Sequence, residues 1–218
     1  MGIMQSPLFG KRLRERYYDA VFAFYNKLLY SKLAKYYDSF FNLFSTSEKT
    51  KERVIESLSS GSILDVACGT GSVLALASNK GLECYGVDLS QGMLDRAKSK
   101  VSNAELKIGN FEDIPYPDAH FDYVVCTNAI GSVRVNPRSV ISEMLRVCKY
   151  GGEVLIADYS EPPQKTFKNK VLIKFFKLFG DTPYDYLSIF RNFGYEPDVE
   201  ILGLYDTYQF LRVKKEHR

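Results

Sequence analysis

An apolar run that ends in two closely spaced glycines constrains this chain more than any other sequence feature. The run spans Ile63–Leu74 and reads ILDVACGTGSVL. Aliphatic residues on both sides of Asp65 are typical of a strand that is buried on both faces of a parallel sheet. Gly69 and Gly71 permit a tight turn and the close approach of a ligand to the backbone. We therefore predict a buried strand, a glycine-rich turn and a helix start, the arrangement of a nucleotide-type cofactor site.

A second apolar segment supports the same site. Cys84–Leu89 reads CYGVDL and is predicted to form the next strand. Asp88 lies at its end, in the position from which a carboxylate binds ribose hydroxyls. The ends of two consecutive strands are thus expected to face one ligand.

Two residues distinguish between possible ligands. Dinucleotide fingerprints have a small residue where this chain has Leu74, and their helix N-terminus faces a pyrophosphate. Asp65, an expected anion before the turn, would repel a pyrophosphate but attract the ammonium group of a methionine moiety. We therefore expect S-adenosylmethionine and not NAD, although Asp65 taken alone also fits a strand-end acid that caps the loop backbone.

Five segments carry a resemblance to a known family. Leu64–Gly71 resembles the first motif of class I S-adenosylmethionine-dependent methyltransferases, particularly the branch of the ubiquinone and menaquinone biosynthesis C-methyltransferases. Tyr85–Leu94 is similar to the ribose-binding strand of that family and the helix after it, and Gly109–Asp118 to its adenine-side loop. Phe121–Cys126 resembles the fourth strand, and Glu143–Ile156 the helix, turn and fifth strand that follow.

The resemblance implies S-adenosylmethionine as the cofactor and a set of residues that hold it. The set comprises Asp65, Ala67, Gly69, Gly71, Asp88, Leu89, Met93, Asn110 and Phe111. No metal ligand is implied.

The chain departs from the family pattern at three places. Ala67 stands where the family often has Gly, which we expect to be a mild change at a strand end. Asn110 and Phe111 replace the usual Asp-Ala; we expect the Asn carbonyl to accept from the adenine amino group and the Phe ring to add stacking area. Residues 128–134 lack the His-His that relatives often carry, so the resemblance implies no catalytic residue there.

The remaining pattern predicts an α/β fold, in which strands alternate with helices. We expect a Rossmann-like, doubly wound, mostly parallel seven-stranded sheet with a C-terminal antiparallel hairpin strand and an added N-terminal helical region. Strands are predicted near Ile63 and at 83–89, 105–108, 123–127, 153–158, 199–204 and 207–213, and helices at 50–58, 93–100, 138–148 and 184–193. One methyltransferase domain over 1–218 is expected, with a helical cap at 11–45, a cofactor-binding core at 60–160 and a basic amphipathic lid or insertion at 163–180.

Composition excludes several other classes of protein. The chain has 218 residues and 45 % hydrophobic content, enough for the core of one soluble domain. A net charge of +3 is too small to favour a nucleic-acid partner. The four cysteines form no C-x-x-C pair, which indicates reduced thiols in a cytoplasmic protein rather than disulfides or a zinc site. The sequence has no apolar run long enough to indicate a signal peptide or a membrane span.

The segment Lys165–Phe179 is predicted to form a basic amphipathic helix, because aromatic and aliphatic residues at helical spacing alternate with five lysines and no acid. Two interpretations are open. The helix either covers an apolar acceptor and contacts an anionic membrane surface, or its apolar side closes the domain core while the lysines face water.

Methyl transfer from an activated sulfonium is an in-line displacement that requires alignment and water exclusion more than acid or base chemistry. Asn128, Asp158 and Tyr159 lie at the carboxyl ends of predicted strands and are our substrate-side candidates; each also fits an ordinary strand-end hydrogen bonder. We expect a methyltransferase for a small, apolar or lipid-like acceptor, with its oligomeric state open. The alternatives are a protein or RNA methyltransferase, although Thr127–Ile130 lacks the Asn/Asp-Pro-Pro-Tyr/Phe motif of one subset, and a cofactor-binding regulatory subunit.

Overall fold

Strand β1 (Ser62–Val66) lies inside a seven-stranded sheet and is buried along its whole length. It pairs in parallel with β2 (Glu83–Asp88) on one side and with β4 (Phe121–Thr127) on the other. The continuous apolar run of the sequence follows from this position, because both faces of β1 are covered. The computed structural model describes residues 46–133, 135–178, 181–203 and 206–216.

The complete sheet has the order β3-β2-β1-β4-β5-β7-β6. The remaining strands are β3 (Glu105–Ile108), β5 (Cys148–Tyr159), β6 (Asp198–Gly203) and β7 (Tyr208–Lys214). Strands β1 to β5 run parallel, and β7 is antiparallel to both β5 and β6. The predicted mostly parallel seven-stranded sheet with an antiparallel C-terminal strand is therefore confirmed.

Helices cover both faces of this sheet. They are α1 (Thr46–Ser57), α2 (Ser72–Asn79), α3 (Gln91–Lys100), α4 (Pro137–Val147), α5 (Phe167–Leu178) and α6 (Tyr186–Asn192), with a 3₁₀ turn at Ile130–Ser132. Leu64 and Val66 belong to one hydrophobic cluster and Ile63 to another, because successive side chains of a strand point to opposite faces. The fold is thus doubly wound, with a core on each side.

The boundary between α4 and β5 differs from the prediction. Cys148 was expected to end a helix, but it is the first residue of β5 and pairs with Phe121 of β4. The helix begins with Pro137, and the Asn136 side chain accepts a hydrogen bond from the Arg138 amide. The 11 residues of the helix therefore end at Val147, and Cys148 belongs to the sheet.

The four cysteines are buried and carry free thiols, as predicted. The predicted helical cap at 11–45 lies outside the described residues, so the extent of the single domain stays a prediction. Within the described parts of the chain, no helix combines the length and the apolar character needed to cross a bilayer.

Replacing Gly86 of β2 by Ala is expected to lower the free energy of unfolding by about 1–3 kcal/mol. An added Cβ would lie 2.8 Å from Leu106 Cδ2, 2.9 Å from Cys68 Sγ and 3.0 Å from Leu74 Cδ1. Denaturant unfolding followed by circular dichroism measures this loss. Gly92→Ala in α3 is the matched control, since among the described residues its Cβ would meet nothing closer than 3.9 Å; it should be neutral or stabilising by up to about 1 kcal/mol. Equal losses in both variants would contradict the packing argument.

Candidate active site

The loop after β1 contains three residues in the left-handed backbone region. Ala67 has a φ of 60°, Gly69 of 52° and Gly71 of 72°. The expectation that Ala67 is a mild change at a strand end is wrong, because β1 ends at Val66 and the left-handed conformation is free for Gly but costs an Ala of the order of 1 kcal/mol. The surrounding loop must therefore hold Ala67 in place.

The two glycines of this loop have different roles. A Cβ on Gly71 would lie 2.9 Å from the Ala97 Cβ of α3, so Gly71 allows the loop and this helix to pack closely. Among the described residues, none has an atom within 4 Å of a Cβ on Gly69. The described part of the chain therefore leaves open space at the Gly69 backbone, in which a ligand can approach the main chain.

Asp88 connects the loops that follow β1 and β2. Its Oδ2 accepts a hydrogen bond from the Gly69 amide and its Oδ1 accepts one from the Ser90 amide, both at 2.9 Å. Each carboxylate oxygen keeps further acceptor capacity. The side chains of Leu89 and Met93 beside it are exposed, with 57 % of Leu89 accessible. A fixed acceptor thus lies next to an apolar surface.

Asp65 is almost completely buried, with 2 % of its surface exposed. Burial, and then the nearby Asp88 carboxylate, raise its pKa from 3.8 to about 8. Within the described parts of the chain, no residue donates a hydrogen bond to its carboxyl group. The expected negative charge at Asp65 is therefore wrong for the free protein, because burial keeps this carboxyl mainly protonated at neutral pH.

The predicted adenine-side residues follow β3. Asn110 is exposed, and its Oδ1 accepts a hydrogen bond from the Glu112 amide at 3.0 Å, so only one lone pair of this oxygen remains for a ligand. The Phe111 ring is buried in the hydrophobic core, which now covers the faces that stacking would need. Ile108, which the sequence analysis did not select, ends β3 with an exposed side chain.

Arg146 of α4 fastens this loop. Its guanidinium donates to the carbonyl oxygens of Ile114 and Tyr116 at 2.8 and 2.9 Å and pairs with Glu143 and Asp118, both at 2.7 Å. The hydrogen bond from Arg146 lowers the pKa of the Glu143 carboxyl, which also accepts from the Ile114 amide. The loop that carries Asn110 is therefore held by α4.

Asp158 lies at the end of β5 with both oxygens occupied. Its Oδ1 accepts from the Tyr159 amide at 2.8 Å, and its Oδ2 accepts from the Gly131 amide and the Tyr186 hydroxyl, both at 3.1 Å. The residue is 1 % exposed, and burial raises its pKa to about 6. The sequence leaves two roles open for Asp158: a substrate-side residue or an ordinary hydrogen bonder at a strand end. This geometry favours the second role.

The other two substrate-side candidates differ in accessibility. Tyr159 is buried, and its ring packs edge-on against Tyr208 with 5.2 Å between ring centroids. Asn128 follows β4, has a φ of 52° and is exposed. Of the three candidates, only Asn128 therefore presents a side chain to solvent. Sequence reasoning missed Tyr208, which lies far from both residues in the chain.

Helix α5 begins at Phe167 and not at the predicted Lys165, which pairs with Glu161 at 3.2 Å. Phe167 is 82 % exposed and Val171 is 53 % exposed, whereas Asn169 is buried. The predicted apolar stripe therefore does not face entirely inward. We define the α5 surface as six exposed residues among the described side chains of this helix: Phe167, Lys168, Lys170, Val171, Lys174 and Lys177.

Comparison with known proteins places the chain in a family. Residues 64–156 match the family described as "Methyltransferase domain". Demethylmenaquinone methyltransferase from Bacillus subtilis is 30 % identical over 207 residues, 85 % of this chain and 88 % of that protein. Phosphatidylethanolamine N-methyltransferase from Cereibacter sphaeroides is 36 % identical over 129 residues, 56 % of this chain and 63 % of that protein.

A solved structure shares the fold. Geranyl diphosphate C-methyltransferase from Streptomyces coelicolor A3(2) aligns with a TM-score of 0.68 and 16 % identity over 79 % of this chain and 82 % of that chain. The chain therefore belongs to the class I S-adenosylmethionine-dependent methyltransferases, in the branch of the ubiquinone and menaquinone biosynthesis C-methyltransferases. It is an enzyme whose cofactor is S-adenosylmethionine.

Asp65→Asn is expected to change how stability depends on pH. Between about pH 4 and pH 8 the folded protein keeps the Asp65 proton and the unfolded chain loses it, so the free energy of unfolding of the wild type falls as pH rises. The Asn variant has no proton to lose at this position. Above pH 8 its free energy of unfolding should therefore exceed that of the wild type by about 2–5 kcal/mol. Urea unfolding of both ligand-free proteins at pH 4, 6 and 8.5 measures the difference. If the free energies of unfolding of the two proteins changed with pH in the same way, Asp65 would not be a buried, protonated acid.

Proposed function

We propose that the chain transfers a methyl group from S-adenosylmethionine to a small, lipid-like acceptor by in-line displacement. The observation that carries the proposal is the fixed Asp88 carboxylate beside the open space at Gly69, at the carboxyl ends of parallel strands. Open α/β sheets bind their ligands at this edge. The cofactor supplies a methyl group already activated by the sulfonium.

The residues of the first two loops fit this cofactor. Each Asp88 carboxylate oxygen already accepts one backbone hydrogen bond. Its remaining lone pair would accept a hydrogen bond from a ribose hydroxyl. Asp65 would pair with the methionine ammonium, because a cation at this place favours the ionised form that burial opposes. Gly69 and Gly71, with Ala67, would give the backbone its close approach to the ligand.

The second group of cofactor residues lies at the ends of β2 and β3. Leu89 and Met93 expose apolar side chains that suit one face of an adenine ring. Asn110 would contribute a polar contact through its amide. For Phe111 we propose a supporting role within the core, since its ring is covered.

On the acceptor side, the chain need only orient the nucleophile and exclude water. Asn128 is the accessible candidate that would touch the acceptor. Asp158 and Tyr159 are buried, and we propose that they position the end of β5 and the turn at Gly131 rather than react.

Two observations support a lipid-like acceptor. Curated relatives are named for methylation of demethylmenaquinone and of phosphatidylethanolamine, both of which are lipids. The α5 surface combines exposed Phe167 and Val171 with four lysines, as interfacial helices do. We therefore propose a cytoplasmic protein that contacts anionic membranes peripherally and takes its acceptor from them.

Transfer of label from methyl-labelled S-adenosylmethionine tests the acceptor class. The reactions contain demethylmenaquinol or phosphatidylethanolamine in vesicles, and parallel reactions contain total protein or RNA from an extract. Label is expected in the organic phase only, and Asp88→Ala should reduce it at least about 10-fold through weaker cofactor binding. Label in protein or RNA would overturn the lipid proposal. Absence of transfer despite measurable cofactor binding would favour the regulatory-subunit alternative.

The α5 surface should bind anionic vesicles. Each lysine near the surface contributes on the order of 1 kcal/mol, so changing Lys170, Lys174 and Lys177 to Gln is expected to weaken binding at least about 100-fold at low salt. Vesicle sedimentation with and without phosphatidylserine, at two salt concentrations, measures this.

A matched control separates local from net charge. Lys49, Lys98 and Lys214 are exposed on other elements, and their change to Gln removes the same charge. This control should retain binding, and both triple variants should keep cofactor affinity. Equal loss in the two variants would leave only a net-charge effect and reject the α5 surface as the membrane contact.

A further inference from the structure

Asn128 occupies an unusual backbone position at the acceptor side of the sheet. It follows the last residue of β4, its φ is 52°, and its amide donates to the Ala157 carbonyl at 2.9 Å. Asn is one of the few residues that adopt the left-handed conformation at low cost. The backbone is thus fixed, and the side chain is directed by a second contact.

That contact is the hydroxyl group of Tyr208, a fully buried residue of β7. The Tyr208 hydroxyl lies 2.6 Å from Asn128 Oδ1 and accepts a hydrogen bond from Thr50 Oγ1 at 3.2 Å. Among the described residues, the other oxygens near this hydroxyl are Thr50 Oγ1 at 3.2 Å, which is the donor of that pair, and the Ala157 carbonyl oxygen at 3.5 Å; both are farther away than Asn128 Oδ1. The Tyr208 proton is therefore directed to Asn128.

The distance also assigns the orientation of the Asn128 amide. A separation of 2.6 Å is typical of O–H···O hydrogen bonds and is shorter than neutral N–H···O bonds. The oxygen of the amide consequently faces Tyr208, and the NH₂ group faces away from it. Within the described ranges of the chain, no residue accepts a hydrogen bond from this NH₂ group, and Asn128 is exposed.

We propose that the Asn128 NH₂ group donates a hydrogen bond to an oxygen of the methyl acceptor, and that Tyr208 is the positioning residue that fixes this amide. The inference rests on the proposed function and narrows its substrate class. A hydroxyl, phenolate or carbonyl oxygen beside the reacting atom satisfies the donor, whereas an amine nitrogen uses its one lone pair to attack the methyl group and cannot accept a hydrogen bond at the same time. The site therefore selects an oxygen-bearing ring such as a quinol over an aminophospholipid.

Tyr208→Phe tests the positioning role because it keeps the ring that packs against Tyr159 and removes only the hydroxyl. With demethylmenaquinol as the probe, kcat/KM is expected to fall roughly 10- to 100-fold, with most of the change in KM. Affinity for S-adenosylhomocysteine should stay within about 2-fold. Tyr123→Phe is the matched control, since it also removes a hydroxyl bonded to a neighbour, Ser59, but lies at the amino end of β4.

A double-mutant cycle separates positioning from general stability. Asn128→Gly removes the side chain and retains the left-handed backbone, and in this background Tyr208→Phe should have no further effect on kcat/KM. Additive losses would overturn the proposal, because Tyr208 would then act independently of Asn128.

NMR measures binding of the acceptor at Asn128 separately from methyl transfer. In protein labelled with ¹⁵N-Asn, the Asn128 side-chain NH₂ signals should shift when demethylmenaquinol is added to the complex with S-adenosylhomocysteine. An unchanged signal with the quinol overturns the inference whether or not methyl transfer occurs. Methyl transfer to phosphatidylethanolamine alone would also overturn it, while leaving the methyltransferase proposal intact.

Discussion

The hydrogen bonds of one carboxylate organise the edge of the sheet at which we propose that the cofactor binds. Asp88 accepts from the Gly69 amide and from the Ser90 amide, so it ties the loop after β1 to the start of α3. A further bond from the Cys68 amide to the Val87 carbonyl continues the contact between the two strand ends. Because β1 and β2 are parallel neighbours, these loops emerge at one edge, and a single side chain is sufficient to set their relative position.

On the proposed acceptor side, a second carboxylate connects two loops by hydrogen bonds to backbone amides, but it is buried. Asp158 accepts from the Gly131 and Tyr159 amides and so ties the turn after β4 to the end of β5. Asp88 remains half-buried, with capacity for a ligand, whereas Asp158 is enclosed and receives the Tyr186 hydroxyl as well. Burial raises the pKa of Asp158 to about 6, a cost that three hydrogen bonds offset. One carboxylate is thus available for binding and the other for structure.

The sequence predicts the sheet and the cofactor loops because both depend on contiguous patterns: apolar runs, glycines and strand-end acids. It fails where a property depends on the assembled environment. The charge state of Asp65 follows from complete burial next to Asp88, and the strain at Ala67 from a turn that begins one residue after β1 ends. Helical periodicity in α5 does not reveal which face is covered, and Phe167 lies on the outer one.

The two sides of the site also differ in how far apart their contacts are in the chain. The bond between Gly69 and Asp88 spans 19 residues, whereas Tyr208 is 80 residues from Asn128 and 158 from Thr50. Segments that are close together in the chain form the proposed cofactor side, so a local sequence pattern is sufficient to predict it. The orientation of Asn128 depends instead on contacts among α1, β4 and β7, which are distant in the chain. The proposed acceptor side is therefore the part of the site that sequence patterns reveal least.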